Sequence, residues 1–106
     1  MNEGEIDQAV EEFKDHPVFG PASRFLRDYR DLINSMSDGW CYWHHGTKCA
    51  SNLSDILYNA RMNRRSRDYP VATREDVEKA AAKVLRFMQR EPQMNGKTPP
   101  VLAAME

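Results

Sequence analysis

The stretch Pro21–Met36, PASRFLRDYRDLINSM, carries the clearest helical pattern of the chain. Its apolar residues recur every three or four positions and charged residues cover the opposite side, as in an amphipathic helix packed on a core. Pro21 suits the first turn of a helix, where its missing N–H is not needed, and Ser37–Gly39 forms a stop signal. The apolar stripe consists of Ala22, Phe25, Leu26, Tyr29, Leu32, Ile33 and Met36.

Three further segments show the same period and predict helices on both sides of this one. The first of them ends before His16–Pro17, because a residue that precedes a proline avoids the helical region. Thr47 is a plausible N-cap, and Thr73 with Asp76 resembles a capping box. The sequence therefore predicts an all-α protein, a compact bundle of four helices. The predicted bounds are Glu5–Asp15, Pro21–Met36, Thr47–Arg61 and Arg74–Gln89.

One domain is expected from a chain of 106 residues. Residues 1–91 form the predicted helical domain. Residues 92–106 begin with three prolines and one glycine within nine residues, which predicts a flexible C-terminal tail. The predicted core contains Val10, Phe13, Phe25, Leu26, Tyr29, Leu32, Ile33, Leu53, Ile56, Leu57, Val77, Ala81, Val84 and Met88.

The composition, 41% hydrophobic and 29% charged, is that of a soluble globular protein. No apolar stretch approaches the roughly 20 residues of a membrane span, and the polar, acidic amino end does not resemble a secretory signal. Two cysteines in such a chain are expected to stay reduced, so the predicted location is the cytoplasm. The sequence does not indicate the oligomeric state.

Charge is distributed unevenly along the chain, although the net charge is only −1. Residues 1–20 carry six acids and one base, whereas residues 48–90 carry ten bases and five acids. One interpretation is that the acidic first helix packs against the basic later helices or simply faces water. The other is that one of these surfaces meets an external charged partner.

The segment between the second and third predicted helices, Gly39–Cys49, reads GWCYWHHGTKC. It holds both tryptophans, both cysteines and two of the three histidines, yet it matches no catalytic or metal-binding signature. Its aromatic residues favour extended structure, but one isolated strand cannot form a sheet. We therefore expect an aromatic-rich loop between helices.

A zinc site is one hypothesis for this segment, with Cys41, His44 or His45, and Cys49 as ligands. The spacing of Cys41 and His44 is that of a first ligand pair. No second pair follows, and His16 would have to supply the fourth ligand from far away in sequence. A small buried thiol at Cys49 is the simpler interpretation, so no metal and no cofactor are expected.

A catalytic cysteine is a second hypothesis, pairing Cys41 or Cys49 with His44 or His45. Cys49 would lie in the first turn of the predicted third helix, where the helix dipole favours the thiolate. Its place on the apolar face of that helix argues against this role. We therefore expect a protein that is not an enzyme.

The aromatic residues Trp40, Tyr42 and Trp43 allow two interpretations. They could close the end of the bundle as part of the core, each burying a large area. They could also anchor another protein, since tryptophan and tyrosine dominate interface hot spots. Consecutive aromatic residues in one loop cannot all point inward, so at least one ring is expected to be exposed.

A second candidate surface is the arginine segment, defined as Arg61, Arg64, Arg65 and Arg67. Such a cluster could contact phosphates, or it could solvate the end of a helix. The sequence pI of about 6.3 is far from the basic value of a dedicated nucleic-acid binder. About ten residues separate the two helices that flank this segment, too many for a helix-turn-helix.

These observations favour a small protein-binding module that uses the aromatic residues together with the arginine segment. The expected partner is another protein with an acidic patch. Small domains without catalytic signatures serve as adaptors or inhibitors, including virus-encoded inhibitors of host machinery, but that is a general tendency of such chains. The alternative function is nucleic-acid binding through the arginine segment, and a lesser alternative is a zinc-stabilised domain.

Overall fold

The computed structural model describes the backbone of residues 3–35 and 39–90 and the side chains of residues 4–35 and 48–90. Within these ranges the protein is all-α and contains no strand, which confirms the predicted fold class. The tail predicted at residues 92–106 lies outside the described residues. The helices are α1 (Glu3–Glu12), α2 (Phe19–Asn34), α3 (Gly39–Ser66) and α4 (Arg74–Arg90).

The corner between α1 and α2 is held by His16. Its Nδ1 accepts hydrogen bonds from the backbone N–H groups of Val18 and Phe19, at 3.1 Å and 3.0 Å. Such groups have no partner within the helix at a helix start, so the imidazole acts as a cap. The ring of His16 also stacks on that of Phe19, with 4.7 Å between centroids. As a result α1 ends three residues earlier than predicted and α2 starts two residues earlier.

Gly20 lets α2 approach the end of α1 closely. A Cβ atom at this position would lie only 2.6 Å from the backbone oxygen of Phe13. Only glycine leaves room for this contact between two backbones. The hydroxyl of Ser23 then donates a hydrogen bond to the Gly20 carbonyl at 2.9 Å, which fixes the first turn of α2.

The link between α2 and α3 differs most from the prediction. α2 ends at Asn34, and Met36, its predicted last residue, lies outside the described residues. α3 begins at Gly39, so the predicted aromatic loop is wrong: its backbone is helical. The strand preference of aromatic residues depends on a neighbouring strand, and the described residues contain none. Thr47, the predicted N-cap, lies two turns inside α3.

At its other end α3 runs to Ser66, although the sequence predicted an end near Arg61. The arginine segment breaks the apolar period on which that prediction depended. The helix continues because Arg61 and Arg64 bond to α1 in place of an apolar contact. Where helices contact each other through polar side chains, apolar residues do not recur with a period of 3.6, so the sequence pattern does not reveal the helix.

The turn from α3 to α4 is fixed by local hydrogen bonds. Arg67 has a φ of 60°, a left-handed conformation common just after a helix, and its N–H donates to the Asn63 carbonyl at 2.9 Å. The Asn63 side chain in turn donates to the Tyr69 carbonyl at 2.7 Å. The predicted capping box is confirmed: the backbone N–H groups of Thr73 and Asp76 each donate to the other residue's side chain.

One hydrophobic core joins all four helices, and most of the predicted core residues are buried in it. The prediction was wrong for three residues that are only half-buried: Val10, Leu32 and Ile56. The core also contains buried residues outside that predicted list, most of them alanines, which allow helices to pack closely. These additional core residues are Ile6, Ala9, Phe19, Ala22, Ala50, Ala60 and Ala80.

Candidate interaction surfaces

Arg61 is buried, with only 6% of its surface exposed. Its Nε and Nη2 donate to the two carboxylate oxygens of Glu12, both at 3.0 Å. Nη2 also donates to Oε1 of Gln8 at 2.8 Å, and Nη1 to the backbone oxygen of Glu5 at 3.4 Å. These hydrogen bonds from Arg61 lower the pKa of Glu12, against the opposing effect of burial. The Arg61 guanidinium therefore donates its hydrogen bonds to groups of α1.

Arg64 caps the C-terminus of α1 from the neighbouring helix. Its Nη1 donates to the backbone oxygen of Glu12, the last residue of α1, at 3.0 Å. The guanidinium also lies over the ring of Phe13, 5.5 Å from its centroid. Unpaired carbonyls at a helix end attract such cations, and the aromatic face adds a cation–π contact. Although exposed, Arg64 is thus bonded within the fold.

The acidic helix α1 packs on the bundle, which the charge distribution left open. Besides its contacts with α3, it is tied to α2 by Arg30, whose Nη1 lies 2.9 Å from a carboxylate oxygen of Asp7. Nη2 of Arg30 also lies 2.9 Å from a carboxylate oxygen of Asp31. The charge difference between the amino end and the later helices is therefore used, in part, inside the protein.

The aromatic residues and the arginine segment do not meet. Both are in α3, near opposite ends of one helix. At a rise of about 1.5 Å per residue, Trp43 and Arg64 lie roughly 32 Å apart along it. A compact patch of about 800 Å² per partner is only roughly 30 Å across, so the two ends could at most occupy its opposite edges. Arg65 and Arg67 are exposed at the far end and, within the described residues, have no recorded ion pair.

The side chains of Trp40, Tyr42 and Trp43 lie outside the described ones, but the helical backbone gives each position a register. A repeat of 3.6 residues brings position 42 to the register of Leu53, which is buried. Position 40 has the register of Tyr58, which is 41% exposed. Position 43 has that of Arg61. Positions 40 and 43, three residues apart, therefore share a side of α3, and position 42 has a different register.

Cys49 does not fit the catalytic hypothesis. With α3 beginning at Gly39, it lies almost three turns from the helix start, so the dipole argument for a thiolate is lost. Burial raises the pKa of its thiol, which lies 3.5 Å from the Tyr29 hydroxyl. Such a thiol is a poor nucleophile.

The other candidate ligands, Cys41, His44 and His45, have side chains outside the described ones. Among the side chains that are described, no group of three or more histidines, cysteines and acids could hold a metal ion. His16 is already used, through Nδ1, as the cap of α2.

A groove that the sequence did not predict runs between α3 and α4, with a volume of about 630 Å³. Asn52, Ile56 and Asn59 line it from α3, and residues 70–72 close one end. The wall formed by α4 carries Lys79, Lys83 and Arg86. Their spacing of four and three residues places the three cations on one face of α4. That spacing was the available sequence signal for this wall.

The two helices run antiparallel, so the basic end of α4 lies beside the first half of α3. Asn52, in the first half of α3, lines the same groove as Lys83 and Arg86 of α4. Arg86 and Arg90 follow Lys83 in the direction of the start of α3. Apart from Lys48 in α3 itself, the cations toward the aromatic segment, defined as Trp40, Tyr42 and Trp43, are therefore those at the end of α4.

The chain matches no protein-family model, no curated protein and no solved structure. In the part of the chain that the structure describes, no helix combines the length and the apolar composition needed to cross a bilayer.

Proposed function

We propose that this protein acts by binding another protein, with the aromatic segment at the start of α3, and Trp40 in particular, as the anchor. Tryptophan and tyrosine contribute much of the energy in protein interfaces at a low entropy cost. The observation that carries the proposal is the antiparallel pairing of α3 and α4, seen in the groove that Asn52 of α3 lines together with Lys83 and Arg86 of α4. It brings Lys83, Arg86 and Arg90 toward the aromatic segment, as an aromatic anchor with a charged rim requires.

The proposed contact surface differs from the one predicted from the sequence in its charged part. Arg61 and Arg64 are bonded to α1 and are left out of it. Arg65 and Arg67 lie roughly 33 Å or more along α3 from Trp43 and are left out as well. An acidic partner would instead meet the exposed cations of α4, whose charges would speed association at low salt.

Nucleic-acid binding through the arginine segment loses support for the same reason. Two of its four guanidiniums already donate to groups of α1, so few remain for phosphates. A role as an adaptor or inhibitor in the cytoplasm, including a virus-encoded inhibitor directed at a host protein, agrees with a binding module. These finer roles remain predictions.

Photo-crosslinking tests this proposal. Benzoylphenylalanine is placed at position 40 in one variant and at position 67 in a matched control at the far end of α3, and both are irradiated in extract of the native host. We expect a protein adduct from position 40 only. Trp40→Ala with Trp43→Ala should then weaken binding of the identified partner about tenfold or more. Adducts from position 67 alone, or nucleic acid as the main adduct, would overturn the proposal.

A further inference from the structure

We infer that the groove between α3 and α4 binds an acidic, amphipathic helix of a partner protein. The inference rests on the proposed function, to which it adds a groove that shares Lys83 and Arg86 with the proposed contact surface and a stated partner chemistry.

The groove has the shape and the floor that a helix needs. Two antiparallel helices form its walls, and a third helix can lie between them with its side chains in the space of about 630 Å³. Ile56 and Ala80 supply apolar surface at its base. At the closed end Val71 is 55% exposed, a large apolar side chain that water now covers. Burying it against a partner residue is favourable.

Charge on the α4 wall selects for acids. Lys83 and Arg86 have no recorded ion pair among the described residues, and Lys79 pairs only with Glu75, where both side chains are more than 70% exposed. Exposed pairs of this kind contribute little and exchange readily. A partner helix with acidic residues at positions i, i+4 and i+7 would match the spacing of these three cations.

The opposite wall favours a protein over a nucleic acid. It presents the amides of Asn52 and Asn59 together with the carboxylate of Asp55. A phosphate backbone that entered the groove would meet Asp55 and be repelled. A helix can place its acids toward α4 and a neutral or basic residue toward Asp55. The second acid of the groove, Asp76, is already engaged in the capping box with Thr73.

Selection from a displayed library of helical peptides, unbiased in charge, tests the inference on the full chain. We expect enriched peptides with acids along one edge and aliphatic residues beside them. Lys83→Glu with Arg86→Glu should weaken their binding about tenfold or more, most strongly at low salt. Arg65→Glu with Arg67→Glu makes the same change of charge at the far end and should leave the dissociation constant within about twofold.

Val71→Ser provides a second variant at an exposed position, where folding is not at risk. It should weaken the same peptides, and a circular dichroism melt of each variant confirms that the helices remain. Three results would overturn the inference: no enriched peptide, enriched peptides indifferent to the Lys83 and Arg86 changes, or displacement of the peptides by a single-stranded oligonucleotide. A chain ending at Arg90 that binds the peptides about tenfold more tightly would instead assign the groove to residues 91–106.

The result is separate from that of the crosslinking experiment. Trp40→Ala with Trp43→Ala leaves every described groove residue unchanged. Suppose that the double variant keeps its peptide binding while the natural chain with the crosslinker at position 40 yields no adduct. That result would support the groove as a binding site and contradict the aromatic anchor.

Discussion

Arg61 of α3 and Glu12 of α1 form a bidentate pair, with two N–H···O distances of 3.0 Å. The residues lie far apart in sequence, so their contact ties the first helix to the third. Arginine makes such paired hydrogen bonds because its donors match the two oxygens of a carboxylate. The basic segment and the acidic amino end thus stabilise each other, and the variants described next measure by how much.

Arg61→Ala should lower the free energy of unfolding by about 2–4 kcal/mol, because Glu12 and Gln8 lose a charged donor in a partly buried site. Arg61→Lys should recover only part of this, since an ammonium group cannot form two parallel bonds to a carboxylate. Urea unfolding gives the values. Arg65→Ala, an exposed neighbour, serves as the control and should change stability by at most about 0.5 kcal/mol. Equal effects of the two alanine variants would contradict a structural role for Arg61.

The same pair should make stability depend on pH. Hydrogen bonds from Arg61 lower the pKa of Glu12 in the folded protein, so the folded state favours the carboxylate. This stabilisation is fully present above the pKa of the unfolded chain, about 4.3, and is lost as the pH falls through the lowered folded value. The free energies of unfolding of the natural chain and of Glu12→Gln should therefore differ at pH 7 and converge as the pH falls through the lowered pKa of Glu12. A difference that stays constant across this range would show that the carboxylate is not specifically stabilised.

Gly20→Ala should destabilise the protein although alanine is the better helix former. The added Cβ would meet the Phe13 backbone oxygen at 2.6 Å, and backbone on both sides has to move. We expect a net loss of about 1–3 kcal/mol in the free energy of unfolding. Gly4→Ala, at an exposed glycine in α1, is the matched control and should be neutral or slightly stabilising. If Gly20→Ala raises the free energy of unfolding, the backbones of α1 and α2 would have to lie further apart than the 2.6 Å approach implies.

Arg67→Gly should stabilise the protein by up to about 1 kcal/mol. Arg67 has a φ of 60°, a conformation that costs residues with a side chain more than glycine. Thermal unfolding measures the gain, with Arg65→Gly inside the helix as a control that should lose stability. If both changes lower the melting temperature, the Arg67 side chain contributes more than its backbone conformation costs.

The contrast between α2 and α3 shows where sequence patterns suffice. The apolar stripe of Pro21–Met36 predicted α2 to within two residues at each end, because its packing repeats every turn. α3 has no such stripe along its whole length, since apolar contacts in its middle give way to hydrogen bonds at Arg61. Its end was therefore predicted too early, and its start was predicted too late because the aromatic residues of Gly39–Cys49 favour strands.

The candidate surfaces likewise depend on how the helices pack, which a local sequence pattern does not show. Arg61 and Arg65 are the same residue type one turn apart, and only the position of α1 makes one of them buried and the other exposed. No local pattern carries that information. The cations of α4 repeat at helical spacing in the sequence, but the groove beside them depends on how α3 lies against α4.

Residues 40 and 42 should differ in what they contribute, although the sequence presents them as equivalent aromatics. The helical repeat gives position 42 the register of buried Leu53 and position 40 that of exposed Tyr58. We therefore expect Tyr42→Ala to lower the free energy of unfolding by about 2–4 kcal/mol, as for a core residue, and Trp40→Ala to change it by less than about 1 kcal/mol. Binding of the crosslinked partner should show the reverse order. Acrylamide quenching checks the assignment before a partner is known, because Trp43→Phe leaves Trp40 as the sole indole. Emission from Trp40 that acrylamide does not quench, together with a lower melting temperature for Trp40→Ala, would place Trp40 in the core and leave the protein without its proposed anchor.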